Sequence, residues 1–96
     1  MSELVTLESA ISIPQGVLFR NVEGEAVLLN TETGKYFGLD EVGTRMWTLL
    51  TQHGRVAPAY RALLEEYDAP AEQLQKDLLD LVAQLAAHGL LRLNEP

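Results

Sequence analysis

The sequence predicts an α+β domain, a three-stranded antiparallel sheet followed by three helices. Three observations predict it. The first third holds apolar runs rich in β-formers and divided by turn residues. After Gly34 the apolar period changes from two to about 3.6. Asp40, Gly54, Pro70 and Gly89 then stand where helices begin and end.

Each element has its own justification. From Met1 to Ile13, Val5, Leu7, Ile11 and Ile13 alternate with a break at Ser9, which suits an edge strand or an arm that docks on another chain. Pro14-Gln15-Gly16 interrupts the chain. Val17–Val22 and Glu25–Asn30 flank Glu23-Gly24 and predict a β-hairpin. Asn30-Thr31-Glu32-Thr33-Gly34 is a second turn, leading into a strand over Lys35–Leu39. The first helix is predicted over Asp40–Gln52. Asp40 supplies an N-cap oxygen, Gly54 suits a left-handed C-terminus, and Val42, Met46, Leu49 and Leu50 share a face. The second is predicted over Val56–Tyr67, with Val56, Tyr60, Leu63, Leu64 and Tyr67 on one side. Asp68-Ala69-Pro70 breaks the chain, and Pro70 opens a third helix running to about His88. Leu90–Leu93 forms a short extended tail.

At 96 residues the chain is expected to be one domain, with residues 1–16 as an arm or extra strand. No stretch approaches the ~20 apolar residues of a membrane span, and no secretory signal is visible. The absence of cysteine removes disulfides, thiolate zinc sites and cysteine nucleophiles, and the expected location is cytoplasmic. A net charge of -7 argues against nucleic acid and anionic membrane as partners. Proteins, peptides and cationic ligands stay open.

The working edge is expected at Lys35-Tyr36-Phe37-Gly38-Leu39. Tyr36 and Phe37 should point to opposite faces of their strand, and Gly38 either permits close approach or relieves crowding. In the third helix Leu74, Leu78, Leu79, Leu81, Val82 and Leu85, with Ala71, Gln75 and Ala86, cover an arc of roughly 160°, wider than the ~100° stripe that docks one surface. Such an arc serves either two apolar neighbours, the first two helices on one side and the edge of the sheet or a ligand between helix and sheet on the other, or a deeply buried core helix. Trp47 is expected to pack. His53 and His88 lie near helix C-termini, where positive charge suits the dipole. Nothing pairs them at ligand spacing, so no metal, cofactor or catalytic residue is assigned.

The hydrophobic hairpin, Thr33-Gly34-Lys35-Tyr36-Phe37-Gly38-Leu39 running into Gly43 and Met46-Trp47, then Tyr67-Asp68, Pro70, Asp77, Leu81, Leu85 and Gly89-Leu90-Leu91 together resemble the PqqD family. These are small proteins of pyrroloquinoline quinone biosynthesis, with relatives among the recognition elements of ribosomal-peptide maturation. The similarity runs from about Val17 to Leu91. It implies a sheet packed on a winged-helix-like trihelical bundle and a non-catalytic peptide chaperone. The leader segment of a precursor peptide would add as a strand beside the third strand and against the third helix. A modifying enzyme, often a radical S-adenosylmethionine protein, would then act on the peptide. Carried onto this chain, the implied peptide-binding residues are Lys35, Tyr36, Phe37, Gly38, Leu39, Leu74, Asp77, Leu78, Leu81 and Leu85. The family's Leu-Asn-Pro-Thr-Gly reads Leu39-Asp40-Glu41-Val42-Gly43 here, so the resemblance does not specify pyrroloquinoline quinone as the product.

Other classes fit less well. A winged-helix DNA binder would offer Lys76 against Glu72, Asp77 and Asp80 on its third helix, the wrong balance for phosphate. An enzyme lacks a cysteine, a histidine cluster or a phosphate-cradling loop. A protein-interaction or oligomerisation module is the stronger rival, since the alternating N-terminal segment could pair with a second copy in a swapped homodimer.

Overall fold

The computed structural model describes residues 5–94. Residues 1–4 of the expected arm lie outside the described residues. The elements, in chain order, are β1 (Ala10–Ser12), β2 (Val17–Val22), β3 (Glu25–Asn30), β4 (Tyr36–Leu39), α1 (Glu41–His53), α2 (Val56–Glu66), α3 (Ala71–Ala87) and β5 (Arg92–Asn94). The hairpin falls where its turn residues place it. Glu23 and Gly24 both take positive φ, as a tight two-residue connection requires. β2, β3 and β4 form an antiparallel meander in that order, and the helices cover one face of it.

Alternation sorts the sheet. Ala26 and Leu28 of β3 and Leu39 of β4 point into the core, whereas Leu18, Val27 and Tyr36 remain exposed on the outer face. Met46, Leu49 and Leu50 of α1, Val56, Ala59 and Leu63 of α2, and Leu78, Val82 and Leu85 of α3 complete the core. Thr44 ties α1 to the sheet. Its buried Oγ1 accepts a hydrogen bond from the Ala26 amide at 2.9 Å. Trp47 packs as expected, buried on α1 and stacked on Phe19 with ring centroids 6.3 Å apart. Two positions depart from the predicted helix faces. Val42 and Leu64 both stay exposed, because each sits at the margin of a stripe centred on its buried neighbours.

The caps follow from side-chain chemistry. Asp40 accepts from the Gly43 amide at 2.8 Å, and Gly54 closes α1 with φ +72°. At the end of α3 the Leu90 amide donates to the Leu85 carbonyl and the Gly89 amide to the Ala86 carbonyl. That is the paired Schellman closure, with Gly89 left-handed at φ +72°. Pro70 proves to be the residue just before α3 rather than its first.

The N-terminal segment is placed within its own chain. β1 pairs antiparallel with β5, matching Ile11 to Leu93. The Ile11 amide donates to the Gly54 carbonyl, and the Ser9 carbonyl accepts from the Val56 amide. The arm thereby satisfies the first amide of α2, which has no side-chain cap. An arm docked on a second copy is not needed to pair these residues.

Arg45 and Glu66 join α1 to α2 through two parallel hydrogen bonds of 2.7 and 2.6 Å. The Arg45 guanidinium holds the Glu66 carboxyl below its ordinary range. A carboxyl lowered on folding stabilises above its unfolded pKa, and that contribution disappears as pH falls through the folded value. The pair is substantially exposed, so its worth is capped near ~1 kcal/mol. Glu66→Gln is accordingly expected to lower Tm by a few degrees at pH 7 and by less in acid, below the ordinary carboxylate range. An equal loss at pH 7 and in acid in thermal melts would contradict this.

Candidate functional site

The site begins with the ladder of β4. The Asn30 amide donates to the Lys35 carbonyl at 2.8 Å, and the register continues Leu29 to Tyr36, Leu28 to Phe37, Val27 to Gly38 and Ala26 to Leu39. Antiparallel pairs alternate between bonded and unbonded. Lys35, Phe37 and Leu39 therefore turn their backbone groups towards β3. Tyr36 and Gly38 turn their amides and carbonyls away from it, along a border that no further strand covers among the described residues.

Side chains alternate along the same strand. Tyr36 is 73 % exposed on the outer face, Phe37 is half-buried on the helix side, and Leu39 is buried. Opposite faces for Tyr36 and Phe37 are what the strand reading predicted. Gly38 is exposed, and a Cβ built there would meet nothing within 4 Å. Crowding inside the free chain does not account for this glycine. Lys35 is exposed just ahead of β4.

Phe37 meets α3 at its far end. Its ring lies edge-on to His88, with centroids 5.3 Å apart. His88 is held in place because its Nδ1 donates to the Gln84 carbonyl at 2.7 Å. At ~100° per residue, Asp77, Leu81, Gln84 and His88 share one edge of α3, and the His88 end of that edge meets β4 through Phe37. Leu81 is half-buried there, and Asp77 is exposed and accepts from Gln73 at 2.8 Å.

The other expected groove leucines sit elsewhere. Leu78 and Leu85 have no accessible surface and Leu74 is 5 % exposed, all turned into the core. In the free chain these three side chains offer a peptide almost no surface. Leu78 and Leu85 pack α3 into the shared core, as Leu39 packs β4. Gln84 joins the edge although sequence reasoning did not single it out, and His88 was read there only as a helix-end residue. Their spacing from Leu81 was visible, but which flank of the leucine arc faces the sheet was not.

Asn30 was also missed. It is 8 % exposed. Its Oδ1 accepts from the amides of Glu32 and Thr33 at 2.9 and 3.2 Å, and its Nδ2 donates to the Gly89 carbonyl at 2.8 Å. A cavity of about 750 Å³ opens behind it, lined by Pro14, Glu32, Ala83, Ala86 and Arg92 among others. No helix of the described residues is long and apolar enough to cross a membrane.

Fold and border together define a small α+β module of winged-helix-like form with an unpaired sheet margin beside a helix. The family profile described as "Coenzyme PQQ synthesis protein D (PqqD)" matches residues 25–91, and the chain belongs to that family. The matched span covers β3 through the end of α3, including the whole border. Among solved structures, the chain is similar to "TbiB1 in Complex with the TbiA(beta) Leader Peptide" at 38% identity, with a TM-score of 0.77 over 83% of this chain and 93% of that one. It is also similar to "Lasso peptide synthetase B1 complexed with the leader peptide" at 19% identity, with a TM-score of 0.77 over 86% of this chain and 98% of that one, a likeness of fold. A search of curated protein sequences gave no match.

Proposed function

We propose that the protein captures the leader segment of a ribosomally made precursor peptide and presents it to a modifying enzyme, with no chemistry of its own. The carrying observation is the open β4 border, where Tyr36 and Gly38 aim backbone donors and acceptors outward beside the Leu81–His88 edge of α3. A guest strand completes that ladder, as strand-adding peptides do on exposed sheet edges. The 38%-identical neighbour TbiB1, seen with a leader peptide, supports the same occupant here.

Backbone pairing alone does not hold such a guest. Ordering costs ~1–2 kcal/mol per residue, while each hydrogen bond nets ~0.5–1.5. Apolar anchors at ~1.5–3 kcal/mol each decide the balance. Guest side chains turned inward meet Phe37, Leu81 and the aliphatic part of Gln84. Those turned outward lie beside Tyr36. Lys35 attracts acidic residues of the leader at the mouth, a small contribution for an exposed pair. The modifying enzyme, of the radical S-adenosylmethionine kind in the family's known pathways, is left the outer sheet face, where Leu18, Val27 and Tyr36 stay uncovered.

A second reading, an oligomerisation module, is favoured by one observation. β2 is also an edge strand, with Leu18, Phe19 and Val22 exposed. Isothermal titration discriminates, using the TbiA(beta) leader peptide and, as a second probe, any short precursor peptide found encoded beside this chain. Saturable heat with one peptide per chain is expected. No heat with either peptide, together with a dimer by light scattering, would replace the first reading with the second.

A further inference from the structure

The two walls of the β4–α3 groove are tied by one residue. Asn30 ends β3, and its backbone frames the turn, donating to the Lys35 carbonyl and accepting from the Gly34 amide at 2.8 Å. Its Oδ1 caps the same turn through Glu32 and Thr33. Its Nδ2 reaches across to the Gly89 carbonyl, just past the last turn of α3. The fit is close, since a Cβ on Gly89 would stand 3.1 Å from that nitrogen. The Phe37–His88 contact lies immediately beyond, one residue from Gly89 and one from the start of β4.

We infer that Asn30 is a positioning residue for peptide capture, setting the distance between the β4 border and the His88 end of α3. A primary amide suits the task because it accepts on one side and donates on the other. No charge is then left in a nearly buried position. The inference rests on the peptide-binding reading and adds to it the element that fixes the groove's width.

The substitution Asn30→Asp separates the two duties. A carboxylate still accepts from Glu32 and Thr33 but cannot donate to Gly89, and its charge faces a carbonyl oxygen. Protonation restores a donor. The expected result is a folded protein whose affinity for the TbiA(beta) leader peptide falls roughly tenfold at neutral pH. The ratio of variant to wild-type affinity should recover as pH is lowered towards 5. Glu32, Lys35, His88 and Arg92 lie nearby in both proteins, so taking the ratio cancels their effect. Asn30→Ala should lose affinity with no recovery. A readout free of peptide is the shift of the His88 ring protons by Phe37 in NMR spectra. It should collapse in Asn30→Asp at neutral pH and return in acid. If Asn30→Asp fails to fold, Asn30→Ser keeps a local turn cap without the reach to Gly89 and should show the same loss. Wild-type binding with unchanged affinity and unchanged His88 shifts in the folded variant overturns the inference alone. No binding by wild type removes the peptide-capture reading and this inference with it.

Discussion

Gly38→Pro is expected to abolish peptide capture while leaving the domain folded. The amide of Gly38 points away from β3, so a proline there removes no bond of the native ladder. Proline is tolerated on edge strands in that orientation, and Phe37 before it is already extended, as a residue preceding proline prefers to be. The guest loses a donor at the middle of the border and meets the ring instead. One lost bond with a stranded acceptor on the peptide costs ~2–4 kcal/mol, or roughly 30- to 1,000-fold in affinity. Gly38→Ala is the control. This position lies outside the left-handed region and its Cβ has open space, so the alanine variant should bind within a few-fold of wild type. Titration of both variants, with circular dichroism for the fold, decides the matter. Full affinity in a folded Gly38→Pro would show that the peptide does not pair with this border.

The second large effect separates two leucines three residues apart on α3. Leu78 has no exposed surface. Leu78→Ala leaves a cavity and should cost ~2–5 kcal/mol of stability, a fall in Tm on the order of 10–30 °C. Leu81 is half-buried at the groove edge. Leu81→Ala should cost much less stability but weaken the leader peptide by about tenfold through lost apolar contact. Thermal melts beside titrations below both midpoints separate the two. If Leu81→Ala binds like wild type, this edge of α3 is not the groove wall.

Most of the architecture was legible because its signals are local. Glu23-Gly24 marks the hairpin, Asp40 and Gly54 bracket α1, and Gly89 closes α3, each through chemistry readable within a few residues. The strand-to-helix order followed from the change of period at Gly34. What escaped depends on residues distant in sequence. β1 and β5 are short strands from opposite ends of the chain, and no turn links them to announce the pairing. Of the site, the β4 border was legible from its aromatic pair and its glycine. The helix wall was only half legible. Amphipathic spacing reports that Leu74, Leu78, Leu81 and Leu85 share an arc, but not which flank carries the sheet. That is set by Phe37 meeting His88. Asn30 reads as an ordinary turn residue until Gly89 is folded against it.

A sheet left unfinished on both sides carries a hazard that a closed barrel avoids, since any stray extended chain can latch on, including another molecule of the same kind. The acidic surplus of -7 acts here as a spacer. Like-charged molecules repel before their margins meet, so the chain can keep its docking rim bare without clumping. Acidity in this protein then serves colloidal hygiene.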